Sequence, residues 1–267
     1  MYLKSKKLFL HLPALLLNFI FLFGFFLVYF YTLDSKNEIY KSFLYDKEFY
    51  FSITYGVYVS FISIFVSLFI FLFIYYMLFL LKFEYKKEIK NWLFFLQIPL
   101  LIPYSFCAFL LFLMFFPTGF LKDFMPFLVG TTWAIVIAYI YKIVPFLLFI
   151  SFPNLLKIKK DEIRLHKIYS NNSNHFFLKI LLRRNLKIMF VGLFIVFAYI
   201  LNAYEIPSIL GSNIQKMPAV LVYERLGKFA LDSMQIAYAS SLVCFFITLC
   251  FMPLFFFIYK FIRKYAF

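Results

Sequence analysis

Long apolar runs alternate with short charged stretches along this chain, and the lengths of the runs decide what they are. Apolar residues fill about 8–31, 51–81, 92–116, 127–149, 188–204 and 234–259. A helix crossing the hydrocarbon of a bilayer needs about 20 apolar residues, and each run meets or approaches that length. The pattern predicts six transmembrane helices with no internal repeat and no separate soluble domain, a single all-α polytopic membrane bundle over 1–267. The first run is longer than the core of a signal peptide and has no A-x-A site, so it is expected as a permanent span. The run 51–81 exceeds a bilayer thickness, and its start is expected to lie at the interface. Pro117, Gly119 and Pro126 mark one turn, and Pro207, Gly211 and Pro218 another.

Composition removes the soluble alternative. Hydrophobic residues make up 65% and charged residues 15% of the 267 positions, against roughly half and a quarter in globular chains. The net charge of +15 would suggest nucleic acid in a soluble protein, but the positions of the charges say otherwise. With both termini cytoplasmic, 19 of the 27 basic residues lie on inner faces and 7 on outer faces, with Lys142 inside the fourth span. That is a positive-inside bias. It requires an even number of spans and leaves no role for a nucleic-acid partner. Lys142 is expected to snorkel to the cytoplasmic interface. Cys107, Cys244 and Cys250 fall in apolar runs without a CxxC pattern, which predicts small core residues rather than a disulfide or a metal site.

The longest polar stretch, about 154–187, lies on the inner side. Ile163, Leu165 and Ile168 recur at near-helical spacing, residues 170–174 read as a turn, and Phe176, Phe177, Ile180 and Leu181 form a second apolar face before Arg183 and Arg184. Helix, turn and helix suit a docking element for a soluble partner. A loop lying on anionic lipid headgroups has the same pattern. Near the outer end of the fifth run, Asn202 and Glu205 are candidates for lining a translocation path. Glu205 equally fits a pair with Arg225 or a water-exposed end charge.

At the inner loop the sequence resembles the permease subunits of type I binding-protein-dependent ABC importers. The segment from Tyr139 through Pro145-Phe146 to Lys157-Ile158-Lys159-Lys160-Asp161-Glu162 is similar to the approach to the EAA loop of that family. With Phe177 to Arg183 on the motif's closing segment, Ser170 falls at the family glycine and Arg164, Leu165 and His166 at Glu-Ala-Ala. Arg183 then stands where the family has proline, and Glu162, two residues upstream, is the candidate substitute for the missing acid. Residues 202–211 resemble the segment near the outer end of the fifth span in the polyamine, thiamine, iron and sulfate branch, and residues 218–224 and 232–241 are similar to its continuation in those permeases.

The resemblance implies a permease that forms half of a translocation pathway. Its partners would be an ABC ATPase subunit on a separate chain, a second permease copy or a paralogue, an extracytoplasmic solute-binding protein and the lipid bilayer of a bacterial inner membrane. ATP-driven closure of the ATPases would move the loop and so the spans. Leu165, Ile168, Phe176 and Phe177 would supply the buried contact with the ATPase, and Arg164 and Lys167 its polar rim. No GxxxxGK[ST], HExxH or GxSxG motif occurs, so the chain is expected neither to hydrolyse ATP itself nor to act as an enzyme, and no cofactor is expected. The alternatives are a membrane-embedded lipid-modifying enzyme, which would need an acid and a base facing one cavity, and an assembly or scaffold protein holding lipid or a soluble partner with the basic loop.

Overall fold

The computed structural model describes residues 46–81, 86–116, 130–159, 161–162, 177–228 and 230–265, with Gly24, Gly119 and Leu128. Among these residues the helices are α1 (Lys47–Leu81), α2 (Lys86–Leu101), α3 (Tyr104–Phe115), α4 (Thr132–Lys157), α5 (Arg183–Asn202), α6 (Glu205–Leu210), α7 (Pro218–Gly227) and α8 (Leu231–Tyr265). A π-helical turn, Phe177–Leu182, runs directly into α5. The described residues contain no strand. Four helices (α1, α4, α5 and α8) are long and apolar enough to cross a membrane, and α2 with α3 makes a fifth if that bent pair is one span. The chain is an all-α polytopic helical bundle. The first expected span, 8–31, lies outside the described residues apart from Gly24.

The hub is α4. Within its apolar stretch 67% of residues are buried inside the chain, against 11% for α8. A helix in lipid has no polar face to turn outward, so hydropathy alone does not say which side packs inward. On α1 the inward stripe is marked by size instead. Ser52, Gly56, Ser60, Ser63 and Ser67 follow one another on its buried face, and small residues let backbones approach closely. Further along, Phe71, Tyr75 and Phe79 continue the same stripe with large rings. Gly56 is required by this approach, because a Cβ there would sit 2.7 Å from Pro218 Cδ at the start of α7.

Two expectations are corrected. The stretch 92–116, expected as one span, is two helices meeting at 92°. Pro103 explains the break: it has no N–H to give the Pro99 carbonyl, and it disfavours the helical region at Ile102. The start of α1 packs into the bundle. Phe49 is fully buried against Leu221 and Cys244, so this end belongs to the bundle. Cys250 is exposed on α8, whereas Cys107 and Cys244 are buried.

At the start of α1 Asp46 does two things. Its Oδ1 accepts the Phe49 N–H at 3.1 Å, capping α1. Its Oδ2 pairs with Arg225 Nη2 of α7 at 2.6 Å, while Glu48 lies 3.6 Å from the same nitrogen. Arg225 also donates through Nη1 to Ser240 of α8 at 3.4 Å. One guanidinium therefore ties α1, α7 and α8 together.

Candidate functional site

The polar stretch 154–187 begins in the last turn of α4 and ends in the π turn and the first turn of α5. Residues 154–157 are the last turn of α4 and 183–187 the first of α5, so the connection between helices is shorter than the polar stretch suggests. Its two roots are joined. Asn154 Nδ2 of α4 donates to Asn185 Oδ1 of α5 at 2.9 Å. Asn185 Nδ2 donates to the Tyr75 hydroxyl of α1 at 2.8 Å and to the Leu181 carbonyl at 2.9 Å. The Tyr75 hydroxyl in turn donates to the Ser151 carbonyl of α4 at 3.3 Å. Asn185 is fully buried, and its donors and acceptor are matched, as a buried amide requires. The knot uses the carbonyl of Leu181 within a π-helical turn, a geometry often found at functional positions.

Around this knot sits an aromatic nest. Phe177, the first residue of the π turn, places its ring 6.0 Å from Tyr75, 5.0 Å from Tyr76 and 5.7 Å from Phe79. Only 5% of Phe177 is exposed. The ring therefore packs the root of the loop against α1 and does not stand free for another protein. Glu162 accepts from Arg184 Nη2 at 2.8 Å and from the Lys159 N–H at 3.4 Å. Both side chains of that ion pair are partly exposed, so it holds the two ends of the loop together with at most about 1 kcal/mol. Arg164, Leu165, Lys167, His166, Ile168, Ser170 and Phe176 lie outside the described residues.

The outer candidates are less closely grouped. Asn202 donates to its own helix at Ala198 (2.8 Å) and across to Thr248 of α8 (3.1 Å), so its amide serves as an interhelical tie. It borders a cavity of about 330 Å³ with Tyr204, Tyr223, Ser241 and Cys244. Glu205 is exposed at the first turn of α6, where a negative charge suits the helix dipole. It does not pair with Arg225, which Asp46 and Glu48 already hold. Gly211 closes α6 tightly, since a Cβ there would meet the Pro207 carbonyl at 2.3 Å.

Lys142 also departs from expectation. It does not snorkel: it is 2% exposed and belongs to the N-terminal half of α4. Its Nζ donates to the Pro99 carbonyl at 2.5 Å and to the Ile102 carbonyl, and it lies 4.7 Å from the centre of the Tyr104 ring. These are the carbonyls that the Pro103 break leaves without helical N–H partners. The lysine is a cation at a helix C-terminus, favoured by the dipole and by the ring face.

A bundle of membrane helices whose inner loop is rooted at both ends can be compared with known families. The family described as binding-protein-dependent transport system inner membrane component matches residues 83–265, more than half of the chain. The chain belongs to this permease family. No curated protein matches it. The permease is a multi-pass membrane protein of binding-protein-dependent transport. Asn185, Asn154 and Tyr75 were missed from sequence. The available signal was Asn185 itself, an uncharged amide near the start of a helix that must cross lipid.

Proposed function

We propose that this permease forms half of the solute pathway of an ATP-driven importer in a bacterial inner membrane, and that the connection within 154–187 couples it to an ATPase on a separate chain. A second permease, identical or paralogous, completes the pathway, and a solute-binding protein delivers a small solute of the kind handled by the polyamine, thiamine, iron and sulfate branch. The observation that carries this reading is the knot at the loop roots, where Asn154, Asn185 and Tyr75 fasten α4, α5 and α1 to one another. A lever must be fixed to what it moves. Displacement of a loop rooted in this way passes to three helices at once, as a rigid-body switch needs. In this reading Leu165, Ile168 and Phe176 make the partner contact with Arg164, His166 and Ser170 beside them, Glu162 holds the loop to Arg184, and Phe177 anchors it. Asn202 and Glu205 border the pathway at its outer end.

The test is co-purification of the tagged permease from its own cells. An ABC ATPase should be recovered with the wild type and lost from Leu165→Asp and Ile168→Asp, with the variants retained in the membrane at normal amount. Recovery of no ATPase with the wild type, or equal recovery with both variants, would contradict the reading.

A further inference from the structure

A second feature of the inner face stands apart from the loop contacts. Between the start of α5 and the end of α8 lies an open cavity of about 610 Å³, lined by Arg183, Arg184, Lys187 and Arg263 with Tyr259 at its edge. Next to it, between the same two helices, an apolar groove of about 220 Å³ runs along the bundle. Its walls are Val191, Phe194, Met252, Phe255 and Phe256, and Lys187 and Tyr259 border both spaces. A cationic mouth therefore continues into a greasy slot.

The charges explain why the occupant is an anion. Arg184 is held by Glu162 at 2.8 Å. Among the described residues no carboxylate lies within ion-pair distance of Lys187 or Arg263. Arg263 donates through Nη1 to the Tyr259 hydroxyl at 3.3 Å, which sets its guanidinium at the junction of mouth and groove. Basic pockets between transmembrane helices on the cytoplasmic side suit phosphate headgroups, and guanidinium matches phosphate by paired donors. The groove selects among phosphates. A free phosphate has nothing to place against Phe194 and Phe255, whose rings meet at 5.9 Å, whereas an acyl chain gains from every CH₂ it contacts. Only 11% of the apolar stretch of α8 is buried by its own chain, so this seam is open to the hydrocarbon from which a lipid would enter.

We propose that the seam between α5 and α8 is a binding site for one anionic phospholipid, with its phosphate on Lys187 and Arg263 and an acyl chain in the groove beneath. The lipid would fasten the last helix to the helix that leaves the inner loop. This site does not depend on coupling to an ATPase.

The experiment is native mass spectrometry of the full-length permease titrated with phosphatidylglycerol and, separately, phosphatidylcholine. One phosphatidylglycerol should bind in preference to phosphatidylcholine. The double variant Lys187→Gln and Arg263→Gln should weaken phosphatidylglycerol binding about 30-fold, the equivalent of two juxtamembrane basic contacts of about 1 kcal/mol each. A matched double variant, Lys157→Gln with Lys228→Gln, removes the same charge at residues that line neither space and should leave binding unchanged. Val191→Trp, which fills the groove and keeps every charge, should weaken both lipids. Equal loss in the matched variant would reduce the effect to general surface charge and overturn the site. Displacement of the lipid by millimolar inorganic phosphate, or unchanged binding in Val191→Trp, would overturn the choice of a lipid. Absence of any bound phosphatidylglycerol, as when a second permease covers the seam, would overturn it as well.

Discussion

Replacing Asn185 by Leu removes the amide while keeping nearly the same volume, so what is lost is the knot. Two of the lost bonds are interhelical, the 2.9 Å bond from Asn154 and the 2.8 Å bond to Tyr75. Such bonds in membrane proteins average about 0.6 kcal/mol each, which gives about 1.2 kcal/mol. The third bond, to Leu181, is within the helix and is replaced by ordinary packing. Tyr75 keeps its bond to the Ser151 carbonyl, so it is not orphaned, whereas Asn154 is left with an unmatched amide at a half-buried position, adding to the loss. For a chain of this size each kcal/mol shifts the melting temperature by roughly 2–4 °C, so Asn185→Leu should lower it by about 2–5 °C in detergent. Tyr75→Phe, which loses its own two interhelical bonds to Asn185 and Ser151, should cost a similar amount, and the double variant should fall short of additivity by about 0.6 kcal/mol, because the Asn185–Tyr75 bond is counted in both single variants. The assay is heating in mild detergent followed by fluorescence-detected size exclusion. Singles within 1 °C of wild type, or strict additivity in the double, would refute the knot.

Other variants separate linked contributions. Asp46→Asn keeps an N-cap and loses the ion pair with Arg225, whereas Asp46→Ala loses both, so Ala should be less stable than Asn by about 1 kcal/mol in the same assay. Lys142→Met should destabilise by about 1–3 kcal/mol, because the Pro99 and Ile102 carbonyls lose their donor inside the bundle; a neutral effect would return Lys142 to the interface. Gly56→Ala should cost about 1–3 kcal/mol by pushing α1 off Pro218, and the loss should shrink when Pro218 is also changed to Ala.

Much of the architecture was legible because lipid imposes one rule on every span: apolar side chains over a fixed length. That rule placed the runs that became α1, α4, α5 and α8. It could not see the 92° break at Pro103, because both arms are equally apolar and only the missing N–H divides them. It could not place Lys142, since a lysine near a helix end and one buried on orphaned carbonyls share the same neighbours in sequence. The inward stripe of α1 was hidden for a related reason: Ser and Gly scattered through Phe and Ile change hydropathy little, yet they decide where helices touch. At the loop between α4 and α5, the family frame drew attention to the segment that the two roots enclose. The polar residues that join its roots, Asn154, Asn185 and Tyr75, come from three helices distant along the chain and carry no common signal. Phe177 stood out by its apolar neighbours, but burial against Tyr75, Tyr76 and Phe79 has the same pattern as burial against a partner.

The most direct test places a single cysteine at His166 or Ile168 in a variant whose Cys107, Cys244 and Cys250 are Ser, and joins it by a short bifunctional thiol reagent to the co-expressed ATPase. The account predicts one crosslinked permease–ATPase species whose yield changes between nucleotide-free and ATP-trapped states. A loop cysteine that yields no such species in either state, while a membrane-impermeant thiol reagent reaches it from outside the cell, would contradict it.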